Sequence, residues 1–384
     1  IMFNDLLAFI RRQYPGQETI PLHAPVLGEF EKQHLAECID STFVSSVGPS
    51  VDQFEQLLCK FVGCRYAVAT VNGTAALQLG LHAIGVGQEM EVILQPMTFI
   101  ASANAISHCG AVPVFVDIEC ESLGICPDAL QDWLETHTEV HADQCINKTT
   151  GRVVKACMCM HSFGLPSKLE ELYRVCEAFH ITLVADGAEA LGSEYRGGSI
   201  AQHAAWTTFS FNGNKIITTG GGGALVTNDE GLAVQARHLA TTAKISHAWE
   251  SRHDAIGFNF RMPNINAALG CAQLRRLPSL LADKRALAAE YGAFLSESTL
   301  QWLVEPEHGR SNYWLNAALC ADAIEREQLL LAAKAQNIQL RPVWELLSDS
   351  QVYAHAQAGP LPVAGEIAQR LVNLPSSPRS CIHD

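Results

Sequence analysis

Charge is scarce in this chain of 384 residues, and positive charge is the scarcer kind. Only 17% of residues are charged, with 26 Lys and Arg against 40 Asp and Glu, a formal net charge of -14. Such a surface repels a phosphate backbone, so nucleic-acid binding is not expected. A small nucleotide-linked substrate remains compatible, because it needs only a local basic or amide-lined pocket. No apolar run is long enough to span a bilayer and no secretory leader is visible, so the expectation is a cytoplasmic protein away from the membrane. No Gly-x-Gly-x-x-Gly follows the first expected strand, which weakens a nicotinamide-binding reading. Thirteen cysteines are present, yet no pair has zinc-ribbon or thioredoxin spacing. Cys157 and Cys159 fall on one face of an expected strand, and free buried thiols in a reducing compartment are the expectation, with no metal site.

Apolar residues make up 48% of the chain, enough for a substantial core. Short Val, Ile and Ala runs alternate with helical patterns. The runs predict strands over 66–71, 91–95, 113–117, 153–158, 181–186, 207–211 and 223–227. Helices are predicted over 50–62, 74–84, 99–109, 127–136, 167–180 and 229–241. Continuous apolar strands joined by helices indicate an α/β architecture, a mostly parallel sheet covered on both faces. The pattern changes near residue 245. Helical stretches at 263–277, 283–298, 323–336 and around 366–371 then predict a smaller C-terminal α+β domain. The expected division is a helical extension over 1–20, a large domain over 21–245 and a small domain over 246–384. Phe3–Tyr14 is amphipathic and reads as a packing helix.

Ligands in such sheets sit beyond the carboxyl ends of the strands. Two reactive groups fall there. Asp186 ends the run Ile181-Thr182-Leu183-Val184-Ala185-Asp186. Lys215 follows Ser210-Phe211-Asn212-Gly213-Asn214 and precedes Gly220-Gly221-Gly222-Gly223. A lysine for a Schiff base and an acid for a pyridinium nitrogen are what pyridoxal phosphate chemistry requires. The lysine alone would read as a surface residue in a glycine-rich loop. Upstream, Asn72-Gly73-Thr74-Ala75 stands where a strand turns into a helix. Such a turn aims backbone N–H groups at an anion, or is simply a capped helix start. Ser210 could add a hydroxyl to the same anion. Phe99 could stack on a cofactor ring or pack in the core. Glu189, three residues beyond Asp186, either neighbours the cofactor or stabilises the first turn of a helix.

With these motifs, and with Gly257-Phe258-Asn259-Phe260-Arg261-Met262 and Asn266-Ala267-Ala268-Leu269-Gly270, the chain resembles the fold type I sugar aminotransferases of the DegT/StrS family over about 21–378. It is most similar there to the branch acting on UDP-linked 4-keto-6-deoxy-N-acetylhexosamines, on the route to legionaminic acid and bacillosamine. The runs at 41–48, 311–316 and 341–344 carry that finer likeness. The resemblance implies amino transfer from L-glutamate, which leaves as 2-oxoglutarate, to the C4 keto group of the nucleotide sugar. Lys215 would bind pyridoxal 5'-phosphate and shuttle the proton, and Asp186 would hold the ring-nitrogen proton. Phe99 would stack on the ring, with Glu189 beside it. Gly73, Thr74, Ala75 and Ser210 would contact the phosphate. Asn259 would reach the phosphate of a neighbouring subunit, implying a homodimer with shared active sites. For His161, Trp249 and Arg341 two roles stay open, lining the sugar-nucleotide or glutamate pocket, or structure. Ala185 and Gly187 depart from the family pattern around the acid, and Leu165 replaces a common histidine. The alternatives are a 3-aminotransferase, a dehydratase-like enzyme or a non-catalytic regulator. Lys215 speaks against the dehydratases, which carry histidine there, and the intact Lys215/Asp186 pair speaks against the regulator.

Overall fold

The computed structural model describes residues 3–379. Seven strands form the path of its large sheet: β1 (Tyr66–Thr70), β2 (Met90–Leu94), β3 (Val112–Phe115), β4 (Val153–Met160), β5 (Thr182–Asp186), β6 (Thr207–Ser210) and β7 (Gly223–Thr227). They lie in the order β3-β2-β4-β5-β6-β7-β1, with a hairpin of Thr138–His141 and Gln144–Asn147 attached beside β4. β7 runs antiparallel to both β6 and β1, while the pairs β2/β3, β2/β4, β4/β5 and β5/β6 are parallel. On this seven-strand path six strands therefore point one way and β7 is reversed. The carboxyl ends of β1, β5 and β6 and the start of β7 meet at one edge.

Side chains alternate across a strand, so a fully covered sheet sends neighbours to opposite layers. Ile93, Cys157, Cys159, Leu183, Ala185 and Val226 enter one core cluster. Val92, Leu94, Met158, Val184 and Leu225 enter the other. This explains why the strands read as continuous apolar runs. The fold is α/β, a mostly parallel sheet covered on both faces, as the sequence led one to expect.

The two helices expected at 263–277 and 283–298 are one helix, Asn264–Leu295, with Pro278 inside it. An interior proline costs about 3 kcal/mol through its lost N–H and its ring clash. Leu274, Leu277, Leu280 and Leu287 are buried on both sides of it. At about 2 kcal/mol for each buried leucine, packing outweighs that cost. A second, antiparallel sheet pairs Gln301–Trp302, Asn316–Leu319, Leu371–Leu374 and Arg341–Pro342 in that order. The N-terminal helix Phe3–Gln13 buries Leu6, Leu7 and Ile10 in a cluster with Leu287, Tyr291, Leu295 and Leu329. Among the described residues, no helix is long and apolar enough to cross a membrane.

Candidate active site

A cleft of about 370 Å³ opens at the edge where β1, β5, β6 and β7 meet. Its lining includes Gly73, Thr74, Phe99, Asp186, Glu189, Ser210, Lys215, Trp314 and Trp344. Asp186 is buried at the end of β5. Its Oδ2 accepts from Ser102 Oγ at 2.7 Å and its Oδ1 from the Ala188 N–H at 3.0 Å. Burial raises its pKa above the usual carboxylate range, against the pull of both hydrogen bonds and of Lys215.

Lys215 sits in the loop between β6 and β7. Phe211 and Gly222 close that loop through a 2.9 Å backbone hydrogen bond, and the Thr219 N–H donates to Phe211 O at 3.0 Å. Lys215 Nζ stands 4.0 Å from Glu189 Oε1 and 4.3 Å from the centroid of the Trp314 ring. Trp314 is held by its Nε1, which donates to Asn214 O at 2.8 Å.

The helix Gly73–Ala83 starts at the cleft with Asn72 as its cap, whose Oδ1 accepts from the Ala75 N–H at 2.7 Å. The first N–H groups of a helix lack intrahelical partners and carry its positive dipole end. A Cβ on Gly73 would lie 3.0 Å from Ser210 Cβ, and one on Gly223 would lie 2.4 Å from Asn72 O. Glycine at both places lets the backbone of β7 close onto the turn and leaves Gly73, Thr74 and Ser210 facing the same space. Ala75 is different from the expectation in detail: its N–H is engaged by the cap and its side chain is buried.

Phe99 lines the cleft while remaining 52% exposed, an apolar ring offered to the open space. Its helix starts slightly later than predicted, at Ala101. Glu189 is buried, its Oε2 accepting from the Phe163 N–H at 2.7 Å, and its Oε1 has no hydrogen-bond partner. Burial pushes its carboxyl up to about 7, opposed by Lys215 and the Phe163 N–H and reinforced by Asp186. The unfolded chain would ionise this group near 4.5, its ordinary value. Between those two pH values the fold holds a proton that the unfolded chain has lost, so stability falls as pH rises through the window, by roughly 3 kcal/mol in all. Urea unfolding of cofactor-free protein at pH 5 and pH 8 should show this loss, and Glu189→Gln should remove most of it. An unchanged pH dependence in Glu189→Gln would assign the slope to another group.

The three residues whose roles were left open do not line this cleft itself. His161 is fully buried, its Nδ1 accepting from the Ser167 N–H at 2.9 Å, and burial with His308 holds its pKa at about 4. It packs beneath the site as a neutral core histidine. Trp249 is 85% exposed and its ring meets only His247 edge-on. Arg341 is exposed and lines a separate cavity of about 300 Å³, which shares Asn214, Trp314 and Trp344 with the cleft. Asn259 is exposed, pairs with Thr241 as an isolated bridge, and does not line its own chain's cleft. Conversely, Ser102, Trp314 and Trp344 reach the site without having been singled out from the sequence. Trp344 stacks on Phe163, ring centroids 5.4 Å apart.

The donor set fits pyridoxal phosphate. A glycine-lined helix start can take the phosphate, a buried carboxylate the ring nitrogen, an exposed aromatic ring the pyridine face and a lysine the aldehyde. The partnerless Glu189 Oε1 leaves one buried acceptor open to a further donor. Among the described residues there is no cluster of His, Cys, Asp or Glu suited to a metal ion.

Comparison with known proteins agrees with this geometry. The model of the DegT/DnrJ/EryC1/StrS aminotransferase family matches residues 25–383. The chain is similar to GDP-perosamine synthase of Escherichia coli O157:H7, 35% identical over 359 residues that cover 94% of this chain and 93% of that protein. It is also similar to the putative pyridoxal phosphate-dependent aminotransferase EpsN of Bacillus subtilis (strain 168), 33% identical over 364 residues and covering 93% and 90%. Among solved structures, Helicobacter pylori PseC, an aminotransferase involved in the biosynthesis of pseudoaminic acid, superposes with a TM-score of 0.84 at 25% identity, covering 93% of each chain.

Proposed function

The chain belongs to the DegT/DnrJ/EryC1/StrS aminotransferase family and is a pyridoxal-phosphate-dependent sugar aminotransferase, and from that we propose that it moves an amino group from L-glutamate to the C4 keto group of a nucleotide-linked 4-keto-6-deoxyhexose. The observation that carries this reading is Lys215 Nζ, poised between Glu189 and Trp314 over a cleft that also holds Asp186. When bound, the cofactor supplies an electron sink and carries the amino group between the two substrates. Lys215 Nζ takes and returns the proton of the reacting carbon. Asp186 keeps a proton on the ring nitrogen through its negative charge. The N–H groups of Gly73 and Thr74, with Ser210 Oγ, hold the phosphate, and Phe99 covers the ring.

The relative named GDP-perosamine synthase supports a GDP-linked acceptor. The UDP-linked N-acetylhexosamine reading rests on the runs at 311–316 and 341–344, which place Trp314 and Trp344 in the cleft. Enzyme loaded with pyridoxal phosphate and L-glutamate should aminate one of the two keto-sugars, seen as a one-to-one gain of 2-oxoglutarate and amino sugar by mass spectrometry. Amination of neither, or an amino group placed at C3 by NMR of the product, would reject this reading.

Assembly belongs to the same proposal. Asn264 N and Ile265 N donate to Ser45 O and Val44 O, which ties the loop around 43–47 to the segment that follows Asn259. Phe43 and Val47 are exposed on that loop, and Ile256 is exposed three residues before Asn259. Such apolar exposure suits a two-fold interface in which Asn259 serves the cofactor phosphate of the other protomer. Mixing Asn259→Asp chains with Lys215→Ala chains should then recover activity, because one site in each mixed dimer escapes both lesions. Recovery no greater than the sum of the two separate mutants, or a fully active monomer in sedimentation, would end the shared-site reading.

A further inference from the structure

Lys284 is fully buried in the middle of the helix Asn264–Leu295. Its Nζ makes three hydrogen bonds: to His23 Nε2 at 2.9 Å, to Trp314 O at 3.0 Å and to Ser376 O at 2.5 Å. Three acceptors are what a primary ammonium can satisfy, and none of them is a carboxylate. Burial pulls its pKa well below that of an ordinary lysine. An apolar side chain of similar length would avoid the cost of burying this group, so a simple tie between segments does not account for a lysine here.

The three acceptors converge on one residue. Trp314 is itself one of them. Ser376 carries another, and its Oγ accepts from the Asn316 N–H at 2.8 Å, two residues past Trp314. His23 is the third, its ring 6.1 Å from the Trp314 ring. On its far side Trp314 donates to Asn214 O, the residue before Lys215, and presents its ring face to Lys215 Nζ at 4.3 Å. The chain of contacts thus runs from Lys284 through the Trp314 backbone to the indole, and from the indole to the amine.

We propose that Lys284 is a positioning residue, which holds the Trp314 ring against the Lys215 amine from outside the cleft. The proposal rests on Lys215 being the reacting amine. A cation–π contact at this distance restricts where the amine can point. With Trp314 fixed, Lys215 Nζ is kept on the side of Glu189 and Asp186, where substrate protons are handled. Loss of the anchor would let the indole tilt and the amine follow. Displacements on the order of 1 Å in a reacting group cost up to about a hundredfold in rate.

The test uses cofactor-free protein labelled with 5-fluorotryptophan, with the Trp314 resonance assigned by its disappearance in Trp314→Phe. Lys284→Met should shift or broaden that resonance. In the loaded enzyme it should lower kcat about tenfold to a hundredfold with little change in the KM for glutamate. Tyr291→Phe is the control: Tyr291 lies on the same helix and donates to Pro375 O at 2.8 Å, so this variant loosens the same C-terminal segment without touching Trp314. It should leave the resonance in place. If Lys284→Met does not fold, Lys284→Gln keeps two N–H donors on one nitrogen and should give a smaller displacement of the same signal. A Trp314 resonance unmoved by the Lys284 variants, or moved equally by Tyr291→Phe, would overturn the proposal. The resonance needs neither cofactor nor sugar, so this outcome is separable from any failure to aminate a given substrate.

Discussion

Lys215→Ala protein is expected to bind pyridoxal phosphate without attaching it. Borohydride treatment of the loaded parent should fix one cofactor mass on the peptide that holds Lys215, and the variant should carry none. Conversion of glutamate to 2-oxoglutarate in a single half-reaction should fall by on the order of 10³-fold or more, because the general base and the covalent anchor vanish together. Among the described residues that line the cleft, Lys215 brings the only amine. Lys284 is fully buried and directed at His23, Trp314 and Ser376. The fold should be unaffected, since among the described residues the Lys215 side chain makes no hydrogen bond and stands 4.0 Å from Glu189. A Lys215→Ala variant with parental half-reaction rates would remove the lysine from the mechanism.

Asp186→Asn should separate stability from activity. The Ala188 N–H needs an oxygen at Oδ1, whereas Ser102 Oγ can turn from donor to acceptor. The amide therefore fits with its oxygen toward Ala188 and its NH₂ toward Ser102. It then presents no negative charge to the ring nitrogen, and the proton there is no longer held. Activity should drop by about 10² to 10⁴-fold. The buried aspartate has a raised pKa, so ionising it at neutral pH works against the fold. The cofactor-free variant should accordingly melt no lower than the parent at pH 7.5, and the difference should shrink as pH falls. A variant with near-parental turnover would mean that another acid holds the ring proton. One that fails to fold would mean the hydrogen-bond exchange with Ser102 does not occur.

Much of this site was legible because its main groups lie at the ends of strands. The seven strands on the path of the sheet fall within two residues of their predicted limits, since apolar runs covered on both faces give a strong local signal, whereas the partly exposed hairpin of Thr138–His141 and Gln144–Asn147 went unpredicted. Asp186, Ser210 and Gly73 inherit their places from those limits. Trp314 is another matter. It comes 99 residues after Lys215, and its approach depends on the packing of the second sheet and on a bond to Asn214 O. No periodicity carries such a contact. Ser102 is hidden for the same reason, as a small polar residue inside a helix whose partner lies on β5. The break expected between 277 and 283 is absent, because burial on both sides of Pro278 outweighs the cost of a proline inside the helix. His161 follows β4, and the choice between its two open roles was hidden from the sequence because it depends on a tertiary contact, the Ser167 N–H donating to its Nδ1 below the cleft.

The reversed direction of β7 has a kinetic consequence. A lysine placed on an ordinary crossover would be carried by a long connection, free to drift whenever its bond to the cofactor breaks. Here the connection is a short loop pinned at its neck by Phe211, Thr219 and Gly222 and at its flank by Asn266, whose Nδ2 donates to Thr219 O at 2.8 Å. The amine would leave the cofactor in the first half of the cycle and return to it in the second, from a root tied down by these bonds. An intramolecular nucleophile held in this way acts at an effective concentration far above that of any free amine in solution. On its return the amine should therefore recapture the cofactor faster than the cofactor escapes. Loosening the neck is the change that would slow that return and let cofactor leave the protein as it works.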